Sequence, residues 1–258
     1  SLAVDWEHDS EGQTATLKVS QSCLPTSGQK HKKAFHIPLS MALISSTGEP
    51  IGLRLQGEAA STSEMVLNVT ESKQTFVFEG VSEHFTPSLL RGFSAPVKLE
   101  VDWKDQELAF LLANDRDSFS RWEAGQTLCL RVLQEMITEC QQDRPFSYSQ
   151  LLVDAFQRLL LDSEIDPALL AESLILPGEV YIGEQMKVID VDAIHRSRKA
   201  LKRHLATSLH EHFTKIYQET SVTEPYRFEA EAVGRRRLRN TVLSYLVSLE
   251  TSEMEELC

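Results

Sequence analysis

Apolar residues occupy every second position of "AFHIPLSMALI", at Phe35, Ile37, Leu39, Met41 and Leu43. That period puts alternate side chains on one face of a β-strand. "STGEP" then supplies a turn. The alternation resumes at Ile51, Leu53 and Leu55, and again at Met65, Leu67 and Val69. "TFVFEGV" and "APVKLEVDW" extend the set, the latter pointing Val97, Leu99, Val101 and Trp103 one way, and "TATLKVS" near the start is a further strand. Six or seven short strands punctuated by turns predict a small β-sandwich. Pro38 cannot donate to a sheet ladder, so its run is expected at an edge.

After Asp105 the period changes to that of a helix. In "DSFSRWEAGQTLCLRVLQEMITECQQD", Trp122, Leu128, Val132 and Met136 lie along one stripe. Ser120 and Glu123 have capping-box spacing, and Asp117 is an alternative cap. "SQLLVDAFQRLLLD" predicts a second helix. "DPALLAESLIL" predicts a third, capped by Asp166, with Pro167 at its first position and a stop at Pro177-Gly178. "DAIHRSRKALKRHLATSLHEHFTKIYQE" predicts one long helix, and "EAEAVGRRRLRNTVLSYLVSLE" another. The expected architecture is therefore multidomain, β then α. A small β-sandwich over residues 1–104 precedes an irregular α-helical array of solenoid type over residues 105–258, with the boundary near residues 104 to 116. Seven of the 11 glycines and five of the nine prolines precede Trp103, in keeping with a turn-rich first part.

Charge narrows the partners. The formal net charge is −12, with 8 Lys+Arg against 12 Asp+Glu up to Trp103 and 18 against 26 beyond it. Both parts are acidic, which argues against nucleic acid or an anionic membrane as a general partner. No apolar run is long enough to span a bilayer. "SLAVDWEHDS" has neither the basic start nor the apolar core of a retained signal peptide. Cys23, Cys129, Cys140 and Cys258 are scattered without a C-x-x-C pair, the pattern of free thiols in a reducing compartment.

"RHLATSLHEHFTKIY" carries three histidines on a helical stretch and invites a zinc reading. A zinc-binding helix needs two histidines four apart, on one face. His210 and His212 are two apart, roughly 200° round the axis. Thr214 follows His210 by four, and Ser208 follows His204 by four, so no pair closes on an ion. The expected metal ligands, cofactor ligands and catalytic residues in this chain are none. "GRRRLRN" holds Arg235, Arg236, Arg237 and Arg239, which could meet phosphates or a peptide carboxylate, or could pair with the acids of neighbouring helices. Asn68 to Thr70 has glycosylation spacing but falls on a strand, where chance is the simpler explanation.

"HIPLSMALISSTGE", "LNVTESKQTFVFEGV", "PSLLRGFSAPVKLEVDW" and "DRDSFSRWEAGQTL" resemble the third domain of aminopeptidase N and its junction to the fourth. "LLLDSEIDPALLAESLILPGE", "VDAIHRSRKALKRHLATSLHEHF" and "RRRLRNTVLSYLVSLE" resemble the helical fourth domain, in the same order. This is the gluzincin alanyl aminopeptidase family of bacteria, plants and apicomplexan parasites. The resemblance implies a parent with zinc as cofactor that removes N-terminal residues from peptides. It implies that the zinc helix, the third ligand and the exopeptidase motif lie in a catalytic domain of the same polypeptide, with no matching positions here. It further implies that the helical domain continues beyond Cys258. Short peptides are then the parent's substrates, and cytoplasm or plastid its compartment. This portion would shape and enclose the active-site cavity, with the Arg235–Arg239 cluster attracting peptide carboxylates. The alternative is a stand-alone sandwich-plus-helix scaffold that binds a protein or peptide partner.

Overall fold

A computed structural model describes residues 1–221 and 226–251; Cys258 and the acidic tail 252–258 lie outside them. Among the described residues the alternating first part forms eight strands. They are β1 (Leu2–Asp9), β2 (Thr14–Gln21), β3 (Ile37–Ser45), β4 (Pro50–Ile51), β5 (Met65–Val69), β6 (Lys73–Glu79), β7 (Phe85–Leu89) and β8 (Leu99–Glu100). One sheet runs β6-β2-β1-β8, with β8 parallel to β1 and the other pairs antiparallel. The second sheet is centred on β3, which pairs antiparallel with β4, β5 and β7. Alternate residues of both sheets point inward and meet as one core. Leu17, Leu39, Met41, Leu43, Leu67 and Phe78 are all essentially inaccessible, and each contributes roughly 1.5–3 kcal/mol on burial. Trp6 and Trp103 pack against this core, their ring centroids 5.2 Å apart.

Several expectations need correction. Phe35 precedes β3 and is 52% exposed, so the apolar face starts at Ile37. "APVKLEVDW" contributes only the two-residue β8, although Val97, Val101 and Trp103 still pack against the core. The strands β1 and β7 are additions to those expected. All five residues of β7 are buried, so it shows no alternation, and Pro87 stands at its centre. Pro38 belongs to a central strand rather than an edge. Met41 pairs with both Met65 and Leu89, which puts β5 and β7 on opposite flanks of β3. The β7 ladder covers only Met41 to Ser45, so Pro38 pairs with Asn68 alone and lacks a ladder partner on its other side. Its missing N–H is tolerated for that reason.

A clamp of charged side chains ends the sandwich. Leu90 and Phe93 adopt left-handed backbone, at φ 59° and 53°, which costs each non-glycine residue roughly 1–2 kcal/mol. Gly92 between them has φ 59° at no such cost. Arg91 of this turn is buried. Its Nε donates to Glu64 Oε2 at 3.1 Å, and its Nη1 to Ser88 Oγ and Asp115 Oδ1, both at 2.8 Å. Asp115 is fully buried, and its Oδ1 also accepts from the Asp117 amide at 2.9 Å. The Asp117 carboxylate accepts from the Gly92 amide at 3.0 and 3.1 Å and from the Ser120 amide at 2.8 Å. Asp117 is thus the cap of the following helix. Ser120 sits within that helix, its hydroxyl turned to the Leu89 carbonyl at 3.4 Å.

The helical elements are α1 (Asp105–Asn114), α2 (Ser118–Gln141), α3 (Gln150–Leu161), α4 (Pro167–Ser173), α5 (Glu179–Glu184), α6 (Val191–Ser208), α7 (His210–Glu219) and α8 (Ala230–Val247). The expected boundary segment is largely α1, whose Leu108, Leu111 and Leu112 are buried. The expected cap of α4 holds, Asp166 accepting from the Ala168 and Leu169 amides with Pro167 leading the helix. Ser149, not among the expected caps, caps α3, its Oγ accepting from the Leu152 amide. The expected long helix is two. Leu209 interrupts it at φ −115°, ψ 20° and is 2% exposed. No glycine or proline marks this break. Two glycines let helices approach closely. A Cβ on Gly234 would stand 3.1 Å from the Ala168 amide nitrogen in α4, and one on Gly125 would stand 2.9 Å from a Leu112 methyl.

Arg91→Met should lower the unfolding free energy by about 3–5 kcal/mol, because Asp115 is left buried and unpaired. Urea unfolding followed by tryptophan fluorescence measures this, and Arg91→Lys should restore only part of it. Gly234→Val should cost about 1–3 kcal/mol by forcing α8 off α4, read by the same titration.

Candidate functional site

The four arginines expected as one cluster divide by their angular positions on α8. Arg235 pairs with Glu231 one turn back at 3.0 Å. Arg239 lies on the same face as Arg235. It donates to the Tyr217 carbonyl at 2.7 Å, and its guanidinium covers the Tyr217 ring at 3.9 Å. Both are occupied away from the groove described next. Arg236 covers the Tyr226 ring at 4.5 Å, and Arg237 pairs with Glu172. These two line a groove of about 570 Å³ between α6, α8 and the Leu174–Leu176 stretch that follows α4.

Two further cations line the same groove, Arg198 and Lys202 of α6. They are four residues apart and so share a helix face. Sequence reasoning missed them; the signal available was the i, i+4 basic pair within "RSRKALK". Arg198 is held by the backbone, its Nε donating to the Pro177 carbonyl at 2.8 Å and its Nη2 to the Leu176 carbonyl at 3.3 Å. Lys202 Nζ stands 5.4 Å from the centroid of the Tyr245 ring. Burial lowers the Lys202 pKa, and the charge of Arg198 lowers it further. Tyr245 closes the floor. It is 2% exposed, stacks on Phe213 at 4.7 Å and donates its hydroxyl to the Leu174 carbonyl at 2.6 Å. The residues lining the groove include no aspartate or glutamate.

The histidines go to separate neighbours. His204 stacks on Tyr148 with centroids 4.0 Å apart, and burial lowers its pKa. His212 Nε2 lies 3.5 Å from Gln157 Nε2, and His195 Nδ1 lies 3.0 Å from Glu179 Oε1. Among the described residues no group of three or more His, Cys, Asp or Glu is placed to hold a metal ion. Cys23, Cys129 and Cys140 are free thiols, and burial pushes the Cys129 thiol up to about 12. Asn68 is exposed on β5, and its Oδ1 lies 2.7 Å from His36 Nε2. Among the described residues no helix is long and apolar enough to cross a membrane.

Two family models match the chain. One is described as "Domain of unknown function (DUF3458) Ig-like fold" and covers residues 1–102; the other is described as "Domain of unknown function (DUF3458_C) ARM repeats" and covers residues 105–258. Aminopeptidase N of Escherichia coli (strain K12) is 41% identical over 250 residues, which is 97% of this chain and 28% of that protein. Aminopeptidase N of Haemophilus influenzae is 35% identical over 245 residues, 95% of this chain and 28% of that protein. The crystal structure of Legionella pneumophila aminopeptidase A in complex with aspartic acid shares the fold, with a TM-score of 0.79 at 24% identity, over 99% of this chain and 28% of that one. The chain therefore spans 28% of the length of these relatives.

Tyr245→Phe removes the partner of a buried carbonyl at the groove floor. It should cost about 1–3 kcal/mol of stability, measured by urea unfolding, with the helical content of the native state unchanged by circular dichroism.

Proposed function

This chain belongs to the aminopeptidase N family, as a C-terminal portion carrying an Ig-like sandwich and an ARM-repeat-like helical region, and from that premise we propose that it is the non-catalytic wall of a zinc-dependent aminopeptidase. The parent removes N-terminal residues from short peptides. This portion shapes and encloses the cavity in which it does so, in cytoplasm or plastid. One observation carries the reading: 97% of the chain aligns with a protein named aminopeptidase N.

The zinc and the chemistry it supplies are assigned to the catalytic domain of the same polypeptide. One feature of the molecule supports the reading. Large apolar side chains stand exposed around α5, with Val180 79%, Val188 80% and Val191 68% accessible. Clustered exposed apolar surface is the mark of a face that meets another protein surface, here assigned to the rest of the parent chain. Within the arginine cluster, Arg236 takes the part of attracting peptide carboxylates, because Arg235, Arg237 and Arg239 are engaged with Glu231, Glu172 and Tyr217.

The test is to isolate from its source the polypeptide that contains this sequence. A species well above 29.1 kDa that contains zinc, hydrolyses alanyl substrates and loses that activity with a chelator is the expected result. The 258-residue chain alone should do neither. A free 29.1 kDa species without peptidase activity would overturn the reading in favour of a stand-alone scaffold.

A further inference from the structure

We propose that the groove between α6 and α8 is a binding site for the C-terminal carboxylate of a peptide, with Arg198, Lys202 and Arg236 as its cationic partners. The argument begins with charge. The chain has 38 acidic residues for 26 Lys+Arg, so an average surface cation finds a carboxylate nearby. Arg235, Arg237, Lys199 and Lys215 all do. Arg198, Lys202 and Arg236 have no carboxylate partner among the described residues, and all three line one groove. Assembling like charges on partly buried side chains is unfavourable in the empty groove. An anion placed among them offsets that cost.

The geometry is prepared for such an anion. The Arg198 fork is fixed by two backbone carbonyls through Nε and Nη2, which orients Nη1 without using it. A donor held this way loses little freedom when it binds. Lys202 stands one turn further along the same face, over the Tyr245 ring. The remainder of the lining favours a carboxylate attached to an apolar body over a bare inorganic ion. Leu174, Ile175 and Val233 supply apolar wall, and Ile175 and Val233 are 40% and 39% exposed. Asn240, Thr241 and Ser244 add neutral polar groups along α8, suited to peptide amides. A groove of about 570 Å³ falls within the range of ordinary small-ligand sites. Naming the anion as a peptide terminus rests on the aminopeptidase reading; the grouping of three cations without a carboxylate among the described residues does not.

The test is calorimetric titration of the 258-residue chain with N-acetyl-Ala-Leu, with its C-terminal amide, and with inorganic phosphate at equal ionic strength. The acid should bind, the amide should bind at least about tenfold more weakly, a difference of about 1.4 kcal/mol, and added salt should weaken the acid. Lys202→Met and Arg236→Met should each cut affinity for the acid by about tenfold, while Lys215→Met leaves it unchanged. Circular dichroism confirms that each variant is folded, and either of the two groove variants suffices if the other melts. Equal binding of acid and amide, equal binding of phosphate and acid peptide, or groove variants of unaltered affinity would each overturn the proposal. So would absence of binding, and none of these results bears on whether the parent hydrolyses peptides.

Discussion

One buried guanidinium holds the end of the sandwich in place. Arg91 lies in a turn whose flanking residues Leu90 and Phe93 adopt backbone that non-glycine residues avoid. The cost is met by charge-assisted hydrogen bonds, which are the strong ones. Arg91 spans Glu64, Ser88 and Asp115, and Asp117 grips the neighbouring Gly92 amide. The same two aspartates turn the chain into α2, Asp115 through the Asp117 amide and Asp117 as its cap. Thus "RGF" and "DRD" form one device. Asp115 is inaccessible, and its Oδ2 has no hydrogen-bond partner among the described residues, so its charge depends on the guanidinium beside it.

The helical region shows the opposite use of charge. Most of its basic residues are spread along an acidic surface, where isolated exposed pairs are worth little. The groove between α6 and α8 concentrates cations over an aromatic floor and excludes carboxylates. Gly234 lets α8 lie close against α4. On the other side of the groove, the Pro177 and Leu176 carbonyls hold Arg198 to the stretch after α4. The groove is therefore a product of helix packing. Its walls are the same residues that stabilise the array, with Tyr245 joining Phe213 to the Leu174 carbonyl.

Much of this was legible along the chain. Period two gave β2, β3, β5 and β6, and period 3.6 gave α2, α3, α4 and α8. Asp166-Pro167 marked a helix start because that chemistry is local. What failed was pattern where burial is complete. The strand β7 is buried at all five positions and so offers no alternation to read. The helix α1 lies at the change of period, where neither pattern runs long enough to mark it.

The site was legible only by half. "GRRRLRN" marked α8 as basic, but helical geometry sends Arg235 and Arg239 one way and Arg236 and Arg237 another. Arg198 and Lys202 come from a separate helix and join them only through packing. The break at Leu209 is equally hard to read, since no glycine or proline marks it and its leucine is buried like others on the same stripe. The sequence by itself determined the fold class and the Asp166-Pro167 helix start, because each depends on residues within a few positions of one another. Only the tertiary structure decided which cations share a groove and which are already neutralised, because those interactions join residues tens of positions apart.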